Sequence, residues 1–219
     1  MLVVQRFDRV AQLVDGRLHV ERLYQEDVAQ AFSVASASKY AELSGGTVRS
    51  IVRMIRREST RPVADLSHIA QTLVFSYVVG NCGNHLKNYS LVYGEESDGR
   101  AATFLAPPYD VVYTTRYPRF SRNMGMAIVR VRDIDAIGPE NLTVLARELG
   151  LAPRVFKGLI EPIVRRCEEA IMKAGEGKYG LVLESTPYIA EDLIEDMGPC
   201  MKVLRSCVVS KRERLPSDA

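Results

Sequence analysis

The segment from Pro62 to Val79 constrains this chain most. Val63, Leu66, Ala70, Leu73, Val74, Tyr77 and Val78 recur every three or four positions, the period of an α-helix. Pro62 suits the first turn, where a missing N–H costs nothing, and Gly80 is placed to end the helix. So apolar a segment predicts a central buried helix around which the rest must pack. Even so, the most apolar stretch, Leu73 to Val79, is far shorter than the roughly 20 residues a membrane-spanning helix needs. A chain of 219 residues with 47% apolar content can bury one good core and a small satellite lobe.

Around that helix the pattern is mixed. Leu2 to Phe7 and Arg17 to Leu23 read as strands, and Glu26 to Phe32 as a short helix with acids in its first turn. Residues 33–46 read as a loop ending in Gly45-Gly46. Thr47 to Glu58 reads as an amphipathic helix, with Thr47 as its N-cap and Val48, Ile51, Val52 and Ile55 as its apolar stripe. Asn88 to Tyr93 and Ala101 to Ala106 read as a hairpin turning at Glu95 to Gly99. Pro107 opens an extended segment rich in Tyr and Arg. Pro139 to Leu149 and Pro153 to Ala174 read as helices, and Gly175 to Gly180 as a turn. A last helix spans Ile189 to Val209, with a break expected at Gly198-Pro199, before a charged tail from Lys211 to Ala219. Helices and strands are clustered rather than alternating, so the expected class is α+β, mainly helical, with one or two small β-hairpins.

Charge and cysteine usage narrow the function. The net charge is +2, from 29 basic and 27 acidic residues, which is no signature of a nucleic-acid binder overall. The feature pointing the other way is an arginine face on the 47–58 helix: Arg49, Arg53, Arg56 and Arg57, with Arg61 beyond. Such a face is either solvated or a surface for phosphate, nucleic acid or an acidic partner. The N-terminus lacks the basic and apolar regions of a signal peptide, so a cytoplasmic location is expected. Cys82, Cys167, Cys200 and Cys207 are then reduced, form no C-x-x-C pair, and read as small buried hydrophobes. His19 and His68 read as structural, and no third ligand accompanies Cys82 and His85 to make a metal site.

The informative place is the polar loop Gly80-Asn81-Cys82-Gly83-Asn84-His85-Leu86-Lys87-Asn88, between the apolar helix and the hairpin. Protein kinases place their catalytic loop in this way. An Asp stands five residues before a metal-binding Asn, and a second magnesium-binding Asp follows the hairpin. Asn88 and Asp110 lie at the two ends of the predicted hairpin, where both can point into one pocket. Their oxygens are the hard ligands magnesium requires.

The loop, continued through Tyr89-Ser90, strongly resembles the catalytic loop of HipA-like serine/threonine kinases, the toxins of HipA–HipB toxin–antitoxin modules, close to G-[NA]-x-D-x-H-x-K-N-[FY]-S. Four further blocks agree in order: Gln5-Arg6-Phe7-Asp8-Arg9 with the hinge strand E-R-F-D-R, and Leu23-Tyr24-Gln25-Glu26-Asp27 with L-P-Q-E-D. Lys39-Tyr40 with Gly45-Gly46 resembles K-Y-E…G-G, and Pro108-Tyr109-Asp110 resembles the P-x-Y-D metal motif. The resemblance implies a kinase-like C-terminal lobe over residues 1–219: a hinge strand at 1–10, the catalytic-loop and metal region at 11–110 and a helical remainder at 111–219. It implies ATP and magnesium as cofactors. The backbone at Gln5 and Phe7 would meet adenine and Asp8 the ribose. His85 would shape the loop and touch phosphate, Lys87 would neutralise the transferring phosphoryl group, and Asn88 and Asp110 would hold the metal. Family targets are aminoacyl-tRNA synthetases.

Two departures qualify these expectations. Gly83 occupies the position where family members carry Asp, so no side chain there accepts or orients the substrate hydroxyl, and neighbouring Asn84 is not a base. No Gly-rich phosphate loop is present, so an N-terminal lobe is expected to be missing and the chain to be inactive alone. It would then work with a separate N-terminal-lobe polypeptide or a HipB-like antitoxin. The rival reading is a non-catalytic pseudokinase or binding module docking such a partner.

Overall fold

A computed structural model describes residues 6–95, 98–175 and 187–208. Gln5 and the start of the expected strand at Leu2 to Phe7, most of the turn at Gly175 to Gly180, and the tail from Lys211 lie outside the described residues. The described chain is mainly helical α+β, with three small antiparallel sheets. It divides into two compact units. The first is the chain up to Ile69 with His85–Asp110; the second is Ala70–Asn84 with the chain from Val111 on.

In the first unit, β1 (Arg9–Val14) and β2 (Arg17–Arg22) form a hairpin. Asp15 and Gly16 make its two-residue turn, with φ of 50° and 75°. Asp-Gly is a favoured pair for a turn needing left-handed backbone at both positions. Strand β1 was not expected from the apolar pattern, although this dipeptide signals it. β3 (Tyr24–Asp27), β4 (Ser90–Glu95) and β5 (Ala101–Leu105) form a sheet in the order β3-β4-β5. The helix expected at Glu26 to Phe32 is therefore cut back. Residues 24–27 pair with β4, and only α1 (Val28–Ala31) is helical, capped by the Asp27 carboxylate accepting from Gln30 N at 2.9 Å.

Helix α2 (Thr47–Glu58) buries Val48, Ile51, Val52 and Ile55 as the pattern requires. Its N-cap is Gly46, not Thr47. Thr47 is already inside the helix, and its hydroxyl accepts from Leu43 N at 3.0 Å while Glu42 accepts from Thr47 N at 2.8 Å. Helix α3 (Pro62–Val78) carries Leu66 and Ile69 into the core of the first unit and Ala70, Leu73, Val74, Tyr77 and Val78 into that of the second. Val63 does not join its stripe; it is 78% exposed in the first turn. The buried Asp65 ties α3 down by accepting from Leu105 N at 2.9 Å and Ser59 Oγ at 2.7 Å.

The second unit holds β6 (Asn123–Ile128) with β7 (Val131–Asp133), α4 (Pro139–Glu148), α5 (Pro153–Gly175) and α6 (Pro187–Val208). The β6–β7 hairpin was not expected. Val129 and Arg130 form its turn at φ of 52° and 65°, a conformation a β-branched residue rarely adopts, so no turn signature marks it. Helix α6 runs through Gly198-Pro199 without ending. Met197, Cys200, Met201 and Leu204 are buried along it, and that burial offsets the roughly 3 kcal/mol an internal proline costs. Cys82, Cys167 and Cys200 are buried and Cys207 is half-buried, all as free thiols. No helix among the described residues is long and apolar enough to cross a membrane.

Candidate functional site

The end of the polar loop is a single 3-10 turn, Leu86–Asn88, rather than the start of the strand, which begins at Ser90. The turn closes on itself. Asn88 N donates to His85 O at 2.9 Å, and Asn88 Oδ1 accepts from His85 N at 3.0 Å. The other end of that buried amide, Nδ2, donates to Asp110 Oδ2 at 2.7 Å. Asp110 is exposed and sits at φ 56°, a left-handed conformation that a short polar side chain tolerates. One asparagine thus fixes the turn and the carboxylate together.

Tyr109 aligns the same corner from the other side. Its hydroxyl donates to Lys87 O at 2.8 Å and lies 2.6 Å from Ser90 Oγ. The Tyr109 ring stacks on Phe7, with centroids 5.6 Å apart and planes at 28°. Asp8, next to Phe7, is 1% exposed. Arg6 donates to both its oxygens at 2.7 and 2.6 Å, and Arg9 to Oδ2 at 2.5 Å. The Arg6 guanidinium, aided by Arg9, holds this carboxyl well below the usual range. Asp8 is therefore an anchored anion that two arginines already engage.

His85 is 8% exposed and packs edge-on against Tyr40, 5.1 Å between centroids. Its Nδ1 is buried with no hydrogen-bond partner. Burial, followed by the nearby Lys39 charge, lowers its pKa from the ordinary 6.5, so the ring is neutral at pH 7. Lys39 O accepts from Leu86 N at 3.2 Å, and Lys39 Nζ lies 5.3 Å from the Tyr40 ring centre. Lys87 is half-buried and reaches Ser36 Oγ at 3.1 Å. The sequence blocks around Phe7, Lys39-Tyr40, His85 to Asn88 and Tyr109-Asp110 are thus joined within one unit. Tyr40, Ser90 and Tyr109 carry that joining without having been assigned a role beforehand.

The loop's first half belongs to the second unit. Gly80 adopts φ 65°, and a Cβ there would stand 2.1 Å from Thr115 Oγ1. Gly80 O accepts from Thr114 Oγ1 at 2.9 Å, and the same hydroxyl accepts from Cys82 N at 2.8 Å. Burial pushes the Cys82 thiol up, so it is no activated nucleophile. Gly83 is half-buried. A Cβ on it would meet Asn81 Oδ1 at 3.5 Å and Thr114 Cγ2 at 3.7 Å, which is ordinary contact.

Asn88 and Asp110 fit magnesium chemically. Asp110 offers a carboxylate, and Asn88 Oδ1 keeps a second lone pair beyond the one His85 N uses. One or two protein oxygens, completed by water and phosphate, is the usual way magnesium is held. Among the described residues no group of three His, Cys, Asp or Glu side chains is placed to make an all-protein cage.

Comparison with known proteins places the chain in a family. The sequence profile of the HipA-like C-terminal domain matches residues 1–171. The chain belongs to the HipA-like C-terminal domain family. Two relatives from Sinorhizobium fredii bear the names Putative kinase Y4mE and Putative kinase Y4dM. The first is 33% identical over 187 residues, 84% of this chain and 42% of its own length. The second is 31% identical over 165 residues, 75% of this chain and 36% of its own length. The chain thus spans less than half the length of these relatives. A chain in the Shewanella oneidensis MR-1 complex of the toxin–antitoxin system HipA, HipB and its operator DNA superposes with a TM-score of 0.74. It is 22% identical, and the match covers 94% of this chain and 50% of that one, so the likeness shows the kinase-like fold. In this HipA-like domain, Asn88 and Asp110 are joined by one hydrogen bond, and Gly83 stands where the resembled motif carries Asp.

Proposed function

We propose that this HipA-like domain is the nucleotide- and magnesium-binding part of a serine/threonine protein kinase of a toxin–antitoxin module, inactive or dependent on a partner by itself. The observation that carries the reading is the Asn88 amide bonded at once to His85 N and Asp110 Oδ2. Phosphoryl transfer depends mostly on positioning and charge neutralisation, and a rigid turn that holds an oxygen-bearing pair supplies positioning. Asn88 and Asp110 would hold magnesium, which when bound neutralises charge on the phosphates. Phe7 and Tyr109 would present a stacked aromatic surface to adenine, and Lys87 would face the transferring group. Neutral His85 would donate or accept a hydrogen bond at phosphate. Gln5 and Asp8 would complete the nucleotide contacts, with the Asp8 charge shared with Arg6 and Arg9. The protein substrate would be of the aminoacyl-tRNA synthetase class, and the partner a HipB-like antitoxin or a polypeptide supplying the N-terminal lobe.

A second reading rests on Gly83. Without a carboxylate there, and with neutral Asn84 beside it, the domain would bind a partner rather than transfer phosphate. Calorimetry of ATP binding with and without magnesium separates the two. Asp110→Asn is the control, because asparagine keeps the left-handed backbone at this position while removing the charge. Magnesium-dependent binding lost in the variant supports the kinase reading. Equal behaviour of both proteins supports the binding module.

A further inference from the structure

The β1–β2 hairpin is amphipathic in the reverse of the usual sense. Its register pairs Ala11 with Val20 and Leu13 with Leu18, so these four side chains share one face. All four are exposed, Leu13 by 77%, Leu18 by 68% and Val20 by 56%. The other face pairs Val10 with Glu21, Gln12 with His19 and Val14 with Arg17, and is mostly polar. Val10, Gln12 and Glu21 line a groove shared with Leu23 and Phe104 of the same unit. The polar face is thus turned toward its own unit and the apolar face away from it. We propose that the apolar face docks a second copy of this chain, hairpin against hairpin, about a two-fold axis. The proposal goes beyond the kinase reading and uses none of the residues joined around Asn88.

A two-stranded hairpin alone is marginal in water and gains stability from a second packed layer. All of β2 and the last four residues of β1 are exposed, so among the described residues no such layer covers this face. The hairpin is held at its base, where Leu23 N donates to Asp8 O at 3.0 Å and Arg9 engages the Asp8 carboxylate. Leu13 and Leu18 stand at the far end, beside the Asp15-Gly16 turn. A contiguous apolar patch held out in this way marks a contact surface.

Size and charge select the partner. The face is bulky near the tip, at Leu13 and Leu18, and smaller near the base, at Ala11 and Val20. A second hairpin laid on it in the reverse direction sets Leu13 over Ala11 of the copy and Leu18 over Val20 of the copy. The fit recurs across the axis, because an isologous interface uses one patch twice. Large against small is how facing layers interdigitate. The same overlay brings Asp15, at one tip, to the base of the other hairpin, where Arg22 is exposed. Laid in the same direction, Leu would meet Leu, the small positions would leave a gap, and Asp15 would face Asp15. Two six-residue strands give each copy less than the roughly 800 Å² of a standard interface. The dimer is therefore transient, with a dissociation constant on the order of 100 µM.

The test is sedimentation equilibrium of the full chain from about 5 to about 500 µM, a range that spans the expected constant. The weight-average mass should climb from that of one chain toward that of two. The variant L13T/L18T keeps good strand formers in place and should stay monomeric throughout, with unchanged circular dichroism confirming its fold. Ala11→Leu separates a fitted pair from general stickiness. Filling the small position should weaken the dimer by about fivefold or more, whereas unfitted apolar contact would tighten. Arg22→Glu should weaken it too, and most at low salt. A wild-type chain that stays monomeric to the highest concentration overturns the proposal and leaves the face to a different polypeptide. So does association that persists in L13T/L18T, that Ala11→Leu tightens or that Arg22→Glu leaves unchanged.

Discussion

Asn88 Nδ2 and Asp110 Oδ2 lie 2.7 Å apart although 22 positions separate them in the chain. The amide that makes this bond also accepts from His85 N. Replacing Asn88 by Ala leaves the His85 N–H without that acceptor and the carboxylate without its donor. The expected cost is about 1–3 kcal/mol of stability, read from urea unfolding. Asp110→Asn, at an exposed position, should cost under about 1 kcal/mol. Equal costs would mean that the turn does not depend on the amide.

Gly83 has room for a side chain, since its nearest neighbours would be 3.5 and 3.7 Å from a Cβ. Gly83→Asp should therefore leave the unfolding midpoint within about 0.5 kcal/mol of the parent. If the kinase reading holds, the same change raises transfer of labelled phosphate from ATP to a protein substrate by about two to four decades. The assay is run with and without a HipB-like partner. A stable variant with no gain points to the binding-module reading.

Gly80 is the opposite case. Its φ of 65° and the 2.1 Å approach to Thr115 Oγ1 leave no place for a methyl group. Gly80→Ala should cost about 2–4 kcal/mol, from a left-handed alanine and overpacking together. Gly80→Ala combined with Thr115→Ser retains the backbone penalty and relieves part of the clash, so it should recover only part of the loss.

His85 sets a pH dependence. Its folded pKa lies below the ordinary 6.5 because the ring is buried and close to Lys39. Below 6.5 the unfolded chain takes up a proton that the folded chain refuses, so stability falls as pH falls toward the folded pKa. Half-buried His68 is lowered in the same direction, mainly by burial. The slope of unfolding free energy between pH 5 and 7 should be positive with rising pH. It should flatten partly in His85→Gln and further in the double variant with His68→Gln. An unchanged slope in the double variant would remove both histidines from the account.

Legibility from the sequence differed by element for physical reasons. α2 and α3 could be read because their apolar spacing is a property of the helix itself. The β1–β2 turn was legible in principle, through Asp15-Gly16, while the β6–β7 turn at Val129-Arg130 was not, because its residues disfavour the backbone they adopt. The end of the helix expected at Glu26 failed because pairing of residues 24–27 with β4 outweighs local preference. The motif residues His85, Lys87, Asn88 and Asp110 carried expected roles, whereas Tyr109, Ser90 and Tyr40 stood in the same motif blocks without one, since nothing local marks how a residue acts through a distant partner.

The sequence by itself determined the central helix, the α+β class, the run of arginines on α2 and the family to which the chain belongs. These follow from periodicity and from residue types at fixed spacing. Only the tertiary structure decided that Asn88 meets Asp110 and that Pro199 lies inside a helix. Each of those depends on burial or pairing between distant segments, and such free energies exist only once the chain has closed on itself.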